Sequence, residues 1–197
     1  MARGTRETIL TAATELMRVH GYAALSMKQI VASSGAPIGS IYHHFPEGKA
    51  QIAREALVNA GVAYSAVLPL VMADQPELGA GIRAAFSQAA DDMELTGYAN
   101  MCPFSTVAGE VANADESLRT AAASVFGDWI TLGRSYFQSR GLDKDLAEEV
   151  VTAIIRSLEG AFVMARTLRS KAPLLAAGRA LAGTYDGIAL LPVPVGA

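Results

Sequence analysis

The sequence predicts an all-α protein of about nine helices, and three observations carry that reading. Alanine occurs 37 times against six Phe, six Tyr and one Trp, a helix-favouring bias. Apolar residues recur at three- and four-residue steps, with no sustained alternation of β-branched residues that would mark a strand. Prolines stand at 37, 46, 69, 76, 103, 173, 192 and 194, so the stretch 104–172 has room for two long helices divided at Gly141.

The elements follow in order. A first helix over Thr5–His20 carries one apolar stripe, Ile9, Ala12, Ala13, Leu16 and Met17, and Gly21 ends it. Ser26 and Gln29 have capping-box spacing, with Leu25 and Ile30 placed to staple across the start of a second helix. That helix stops near Ser34, where Gly35 supplies the left-handed residue. Pro37 fits the first position of a short third helix ending near His44. Two short helices around a glycine turn form a helix-turn-helix pattern at about 28–47. A longer helix runs from Lys49 to about Leu68, followed by helices near 77–96, 103–113, 115–140, 143–170 and 173–187. Only residues 191–197 read as an extended tail.

With 51% hydrophobic and 18% charged residues in 197, the chain fills a core and is not intrinsically disordered. The lone Cys102 leaves no internal disulfide and fits a reducing cytoplasm. Charges or prolines are expected to interrupt every apolar stretch before the ~18 residues of a membrane span. The opening MARGTRETIL has no apolar core, so the expectation is a cytoplasmic chain without a secretory signal or membrane partner. Net charge is −3 but unevenly spread. Residues 1–54 hold six Lys/Arg against three Asp/Glu (+3) and every histidine, whereas 55–197 hold ten against sixteen (−6). A basic head on an acidic body is the asymmetry expected when one end meets an anionic polymer.

Advancing ~100° per residue along the third helix groups Ile38, Ile41 and Phe45 on one face. Gly39, Ser40 and His43 fall opposite, with Tyr42 and His44 on the flanks. A greasy back and a small, hydrogen-bonding front suit a helix in the DNA major groove: Gly39 permits close approach, and Ser40 and His43 reach base edges. Tyr42 and His44, with Lys28 and Lys49, are placed to meet phosphates, and Pro37 opens the helix.

These residues resemble a known family. Arg6-Glu-Thr-Ile-Leu-Thr-Ala-Ala13, Gly21-Tyr22, Ile30-Val-Ala-Ser-Ser-Gly35 and Ile38-Gly-Ser-Ile-Tyr-His-His-Phe45 are similar to the DNA-binding domain of TetR-family repressors, over about residues 5–60. One departure is visible: the family usually has Phe, two residues, then Lys, whereas Phe45-Pro-Glu-Gly-Lys49 holds one residue more. That insertion, with Gly97, Met101-Cys102-Pro103 and Ala165–Leu174, resembles the branch typified by the lincomycin-resistance repressor. The resemblance implies a helix-turn-helix domain over 1–48 and a ligand-binding and dimerisation domain over 49–190. It also implies a homodimer, a double-stranded operator and a small-molecule inducer.

The body offers bulky apolar residues for an inducer pocket: Phe86, Met93, Met101, Cys102, Phe104, Trp129, Phe137 and Phe162. For any one of them plain core packing is the better reading, and it is the resemblance that makes the set an inducer cavity, whose polarity points to a hydrophobic or aromatic ligand. Apolar stripes wider than one neighbour needs put a dimer interface at Ile154, Leu158, Leu174, Gly178 and Leu181. Chemistry for an enzyme is missing. His43 and His44 diverge by ~100°, a poor metal pair, and Cys102 has no histidine near it in sequence. Gly79-Ala-Gly81 lacks the third glycine and the strand of a nucleotide loop. No cofactor or metal is expected. The competing reading is a helical small-molecule carrier without DNA binding, against which the intact groove face argues.

Overall fold

The computed structural model describes residues 4–99, 102–112 and 115–193. Among them lie ten helical segments and no strand. They are α1 Thr5–His20, α2 Met27–Ser34, α3 Ile38–His44, α4 Lys49–Ser65, α5 Val67–Met72, α6 Leu78–Leu95, α7 Pro103–Val111, α8 Glu116–Ser139, α9 Lys144–Leu168 and α10 Ala172–Thr184. Only Ala66 separates α4 from α5, and it keeps helical angles (φ −81°, ψ −16°). The pair therefore corresponds to the single helix expected from Lys49. Pro69 sits in the first turn of α5, where its missing N–H costs no intrahelical bond.

The chain divides into two compact units. One contains residues up to Val62 together with Cys102–Phe126; the other contains Ala63 to Met101 together with Gly127 onward. The first unit thus takes in most of α4, α7 and the start of α8, beyond the boundary expected at residue 48. The reason lies in α4, whose Ile52, Ala53, Ala56 and Leu57 are fully buried. On α1, Ile9, Ala13 and Met17 are likewise sealed from solvent. A carboxylate from α7 fastens the α1–α2 turn: Ala23 N–H donates to Glu110 Oε2 at 2.8 Å. Gly21 is required there, because a Cβ would fall 1.9 Å from Glu110 Oε1, and its φ of +79° suits glycine.

In the second unit α6, α9 and α10 share one apolar cluster. Close crossings depend on missing side chains: a Cβ at Gly178 would stand 2.5 Å from Phe86 Cβ, and one at Gly133 2.3 Å from a Val151 methyl. Arg140, only 1% exposed, is the one buried charged residue among the described residues of this unit. Its guanidinium donates to the carbonyls of Met72 (3.0 Å), Gln75 (2.7 Å) and Leu191, and to the Tyr136 hydroxyl (2.6 Å). The start of the tail is pinned in return: Leu191 N–H donates to the Arg140 carbonyl at 2.8 Å and Leu190 N–H to Pro76 at 2.9 Å. Residues 194–197 of that tail lie outside the described residues.

Two expectations need correction. Ile154 (1%), Leu174 (0%) and Gly178 are already buried by their own chain, so they are core rather than surface offered to a second copy. Leu158 and Leu181 pack against that core and remain partly open. Stripe width misled because α6 takes the face that the sequence left without an owner. The second correction concerns apolar runs. No charged residue separates Glu55 from Asp74, and although Pro69 interrupts that stretch as expected, the helical run Lys49–Met72 continues past it with the length and composition to cross a membrane. Ile52, Ala53, Ala56 and Leu57 of that run are buried in the first unit, and Met72 belongs to the apolar cluster of the second.

Candidate nucleic-acid interface

The helix-turn-helix is built by local chemistry that the sequence declared. Ser26 caps α2: its Oγ accepts the Gln29 N–H at 3.3 Å and its hydroxyl donates to Gln29 Oε1 at 2.8 Å. Gly35 takes the left-handed conformation (φ 69°, ψ 2°) and donates its N–H to the Val31 carbonyl at 3.0 Å, turning the chain toward α3. Pro37 stands just before α3 as its cap, one position earlier than expected, and its carbonyl accepts from Ser40 (2.9 Å) and Ile41 (3.1 Å).

Ile41 and Phe45 are fully buried and set the back of α3. Arg6 holds Phe45 from the other side, its guanidinium 5.1 Å from the ring centroid while it pairs with Glu55 of α4. Gly39, Tyr42 and His43 are exposed on the front, with Ser40 and His44 half-buried beside them. The His43 and His44 rings meet edge to face, 5.3 Å apart. Ile38 departs from the helical-wheel reading: it is 48% exposed, whereas Ile41 and Phe45 are fully buried. The start of α3 therefore adds an exposed apolar residue, next to Gly39 in sequence, to the open surface of this helix.

The extra residue after Phe45 is absorbed in a turn closed by Gly48 N–H on the Phe45 carbonyl at 2.9 Å, with Gly48 at φ +68°. Lys49 consequently still opens α4. Its Nζ lies 4.2 Å from the Tyr22 ring centroid, a contact across 27 residues that no periodicity announced. Lys28 is exposed on α2. The surface thus combines short hydrogen-bonding side chains on a helix front with cations at its borders, which is what a groove and its flanking phosphates require.

Comparison with known proteins agrees. Residues 9–56 match the family model of bacterial regulatory proteins of the tetR family, and residues 79–180 match that of the LmrA/YxaF-like transcriptional regulator C-terminal domain. The chain belongs to the TetR family of transcriptional regulators. It is 32% identical over 171 residues to the HTH-type regulator YxaF of Bacillus subtilis, covering 87% of this chain and 90% of that one. It is 30% identical to LmrA of the same organism, covering 87% and 91%. Among solved structures, a TetR regulator from Legionella pneumophila superposes with a TM-score of 0.78 at 22% identity, covering 94% and 99%. One from Chloroflexus aurantiacus gives 0.74 at 27% identity, covering 95% and 96%. The helix-turn-helix described above is therefore the DNA-binding domain of a TetR regulator, and the chain is a regulator rather than an enzyme.

The residues expected to line a TetR-type inducer pocket do not share one environment. Phe86, Met93 and Phe137 are sealed inside the apolar cluster of the second unit, and Phe162 packs against it. Trp129 instead faces Tyr64, ring centroids 6.4 Å apart. Cys102 and Phe104 are buried in the first unit, where Phe104 meets Phe126 edge to face at 6.4 Å. Met101 lies outside the described residues.

Proposed function

We propose that the chain is a homodimeric, ligand-responsive repressor that works in the cytoplasm, binds a palindromic operator and is released by a hydrophobic or aromatic small molecule. The observation that carries this reading is the front of α3, with Gly39, Tyr42 and His43 exposed over fully buried Ile41 and Phe45. On this reading Ser40 and His43 read bases, while Tyr42, His44, Lys28 and Lys49 contact phosphates. Two copies related by a two-fold axis would address half-sites about one helical turn, ~34 Å, or a multiple apart.

Dimerisation draws support from the outward flank of α9, where Ile155, Leu158 and Phe162 stay partly open and Val163 is 48% exposed. Ligand response draws support from the Tyr64–Trp129 pair, two rings neither of which is sealed from solvent. A ligand releases DNA only by binding the released state more tightly. A coupling of ~1–3 kcal/mol corresponds to roughly a 5–150-fold change in operator affinity.

The test is to select bound duplexes from a random pool with the full-length protein and map the recovered sequence. A palindromic consensus, bound with steep salt dependence, supports the repressor. A protein that binds an apolar ligand but enriches no sequence would be a carrier instead.

A further inference from the structure

We propose that Tyr22 is a positioning residue for DNA binding, its ring holding the Lys49 ammonium at the mouth of α4 where it meets a backbone phosphate. The inference rests on the phosphate role given to Lys49 above and adds the residue through which Lys49 acts.

The geometry is specific. Lys49 is the first residue of α4, and its Nζ stands 4.2 Å from the Tyr22 ring centroid, within the range of a cation–π contact. Among the described residues Lys49 makes no ion pair, although a carboxylate lies two positions away in the same turn. That carboxylate, Glu47, is claimed by Arg54 at 3.0 Å, and Arg54 is steadied by Ser117 Oγ at 3.1 Å. The Glu47 backbone N–H is held as well, on Gln51 Oε1 at 3.1 Å. The inserted turn thus pairs its own acid with Arg54 rather than with the lysine.

A ring is a different partner from a carboxylate. A carboxylate would cancel the charge that a phosphate is to meet, whereas an aromatic face limits the wandering of a four-carbon side chain and keeps its full charge. Ordering before binding lowers the entropy lost on binding. Tyr22 is itself fixed by its neighbours: it follows Gly21 in the turn that Glu110 fastens, and it is half-buried. Burial, then the Asp115 carboxylate, push its phenol above the ordinary tyrosine range, so the ring presents a neutral face.

Phosphate contacts do not depend on sequence, so the assay needs no operator. Full-length protein is titrated by fluorescence anisotropy against a labelled duplex of arbitrary sequence over a range of salt. Lys49→Met should weaken binding and flatten the log–log salt slope by about one unit. Tyr22→Leu should weaken binding about two- to fivefold, the worth of an exposed cation–π contact, while Tyr22→Phe keeps the ring and matches the parent. In the Lys49→Met background Tyr22→Leu should weaken binding no further. Equal weakening in both backgrounds, or none in either, would overturn the positioning role and leave the lysine contact standing. An unchanged slope in Lys49→Met would overturn the lysine contact and the positioning role together. Should Tyr22→Leu lose helicity by circular dichroism, Tyr22→Met fills the site with a pliable apolar chain and reads the same cycle.

Discussion

The two compact units bury apolar residues for different ends. In the first, a few fully buried side chains, Ile41 and Phe45 of α3 among them, serve as a backing that pushes small polar residues outward. In the second, α6, α9 and α10 bury bulk for its own sake: Phe86 packs on Gly178, Val151 on Gly133, and Arg140 is spent on three backbone carbonyls. The front of the reading helix is therefore defined by what it leaves uncovered, whereas the second unit is defined by what it encloses. A substitution in one should cost recognition and in the other stability, and that separation can be tested.

The largest expected effect is in the second unit. Phe86→Ala should lower unfolding free energy by about 3–5 kcal/mol, since it removes a fully packed ring beside Gly178. Chemical denaturation measures this, and DNA affinity below the transition should persist. If stability is kept while affinity for an apolar ligand changes, Phe86 is a pocket wall and the comparison fails there. Next comes Arg140→Met, which leaves the carbonyls of Met72, Gln75 and Leu191 without their charged donor. A loss of about 2–3 kcal/mol is expected, with faster proteolysis at the C-terminal end as a second readout. Unchanged stability would mean that water replaces the guanidinium without cost.

Much of this was legible in the sequence, and the misses share a cause. The span Thr5–His20, the Ser26 cap and the Gly35 turn came from signals within four or five residues of each other, where local chemistry decides. The core role of Ile154, Leu174 and Gly178 did not, because a wide stripe looks the same whether α6 or a second copy covers it. The Arg140 clamp escaped for a similar reason: its acceptors are backbone carbonyls 51 to 68 residues away, and a carbonyl has no sequence signature. Tyr22 under Lys49 likewise depends on two turns folding toward each other.

For the first unit the expected losses are smaller and of another kind. Ser40→Ala should cost about 1–3 kcal/mol of operator affinity and relax preference at one base position. Its melting temperature should stay near the parent's, since Ser40 is only half-buried and backs no core. Loss of affinity that is uniform across sequences would make Ser40 a backbone contact instead.

The smallest effect, on stability, is expected at Ile38, and it sharpens the comparison most. The helical wheel of α3 puts this residue with Ile41 and Phe45, yet it is 48% exposed while both of those are sealed. Were it core, Ile38→Ala would cost ~2–5 kcal/mol, as for other large-to-small core changes. Exposed as it is, the change should alter unfolding free energy by only about 0.5 kcal/mol, the range of ordinary surface substitutions. Its worth lies in recognition, because an apolar side chain at the leading turn of the helix can pack on a thymine methyl in the major groove. Binding-site selection with Ile38→Ala should therefore lose preference for thymine at one position of each half-site, with the rest of the consensus intact. A variant that selects the parent sequence but melts much earlier would return Ile38 to the core and restore the wheel.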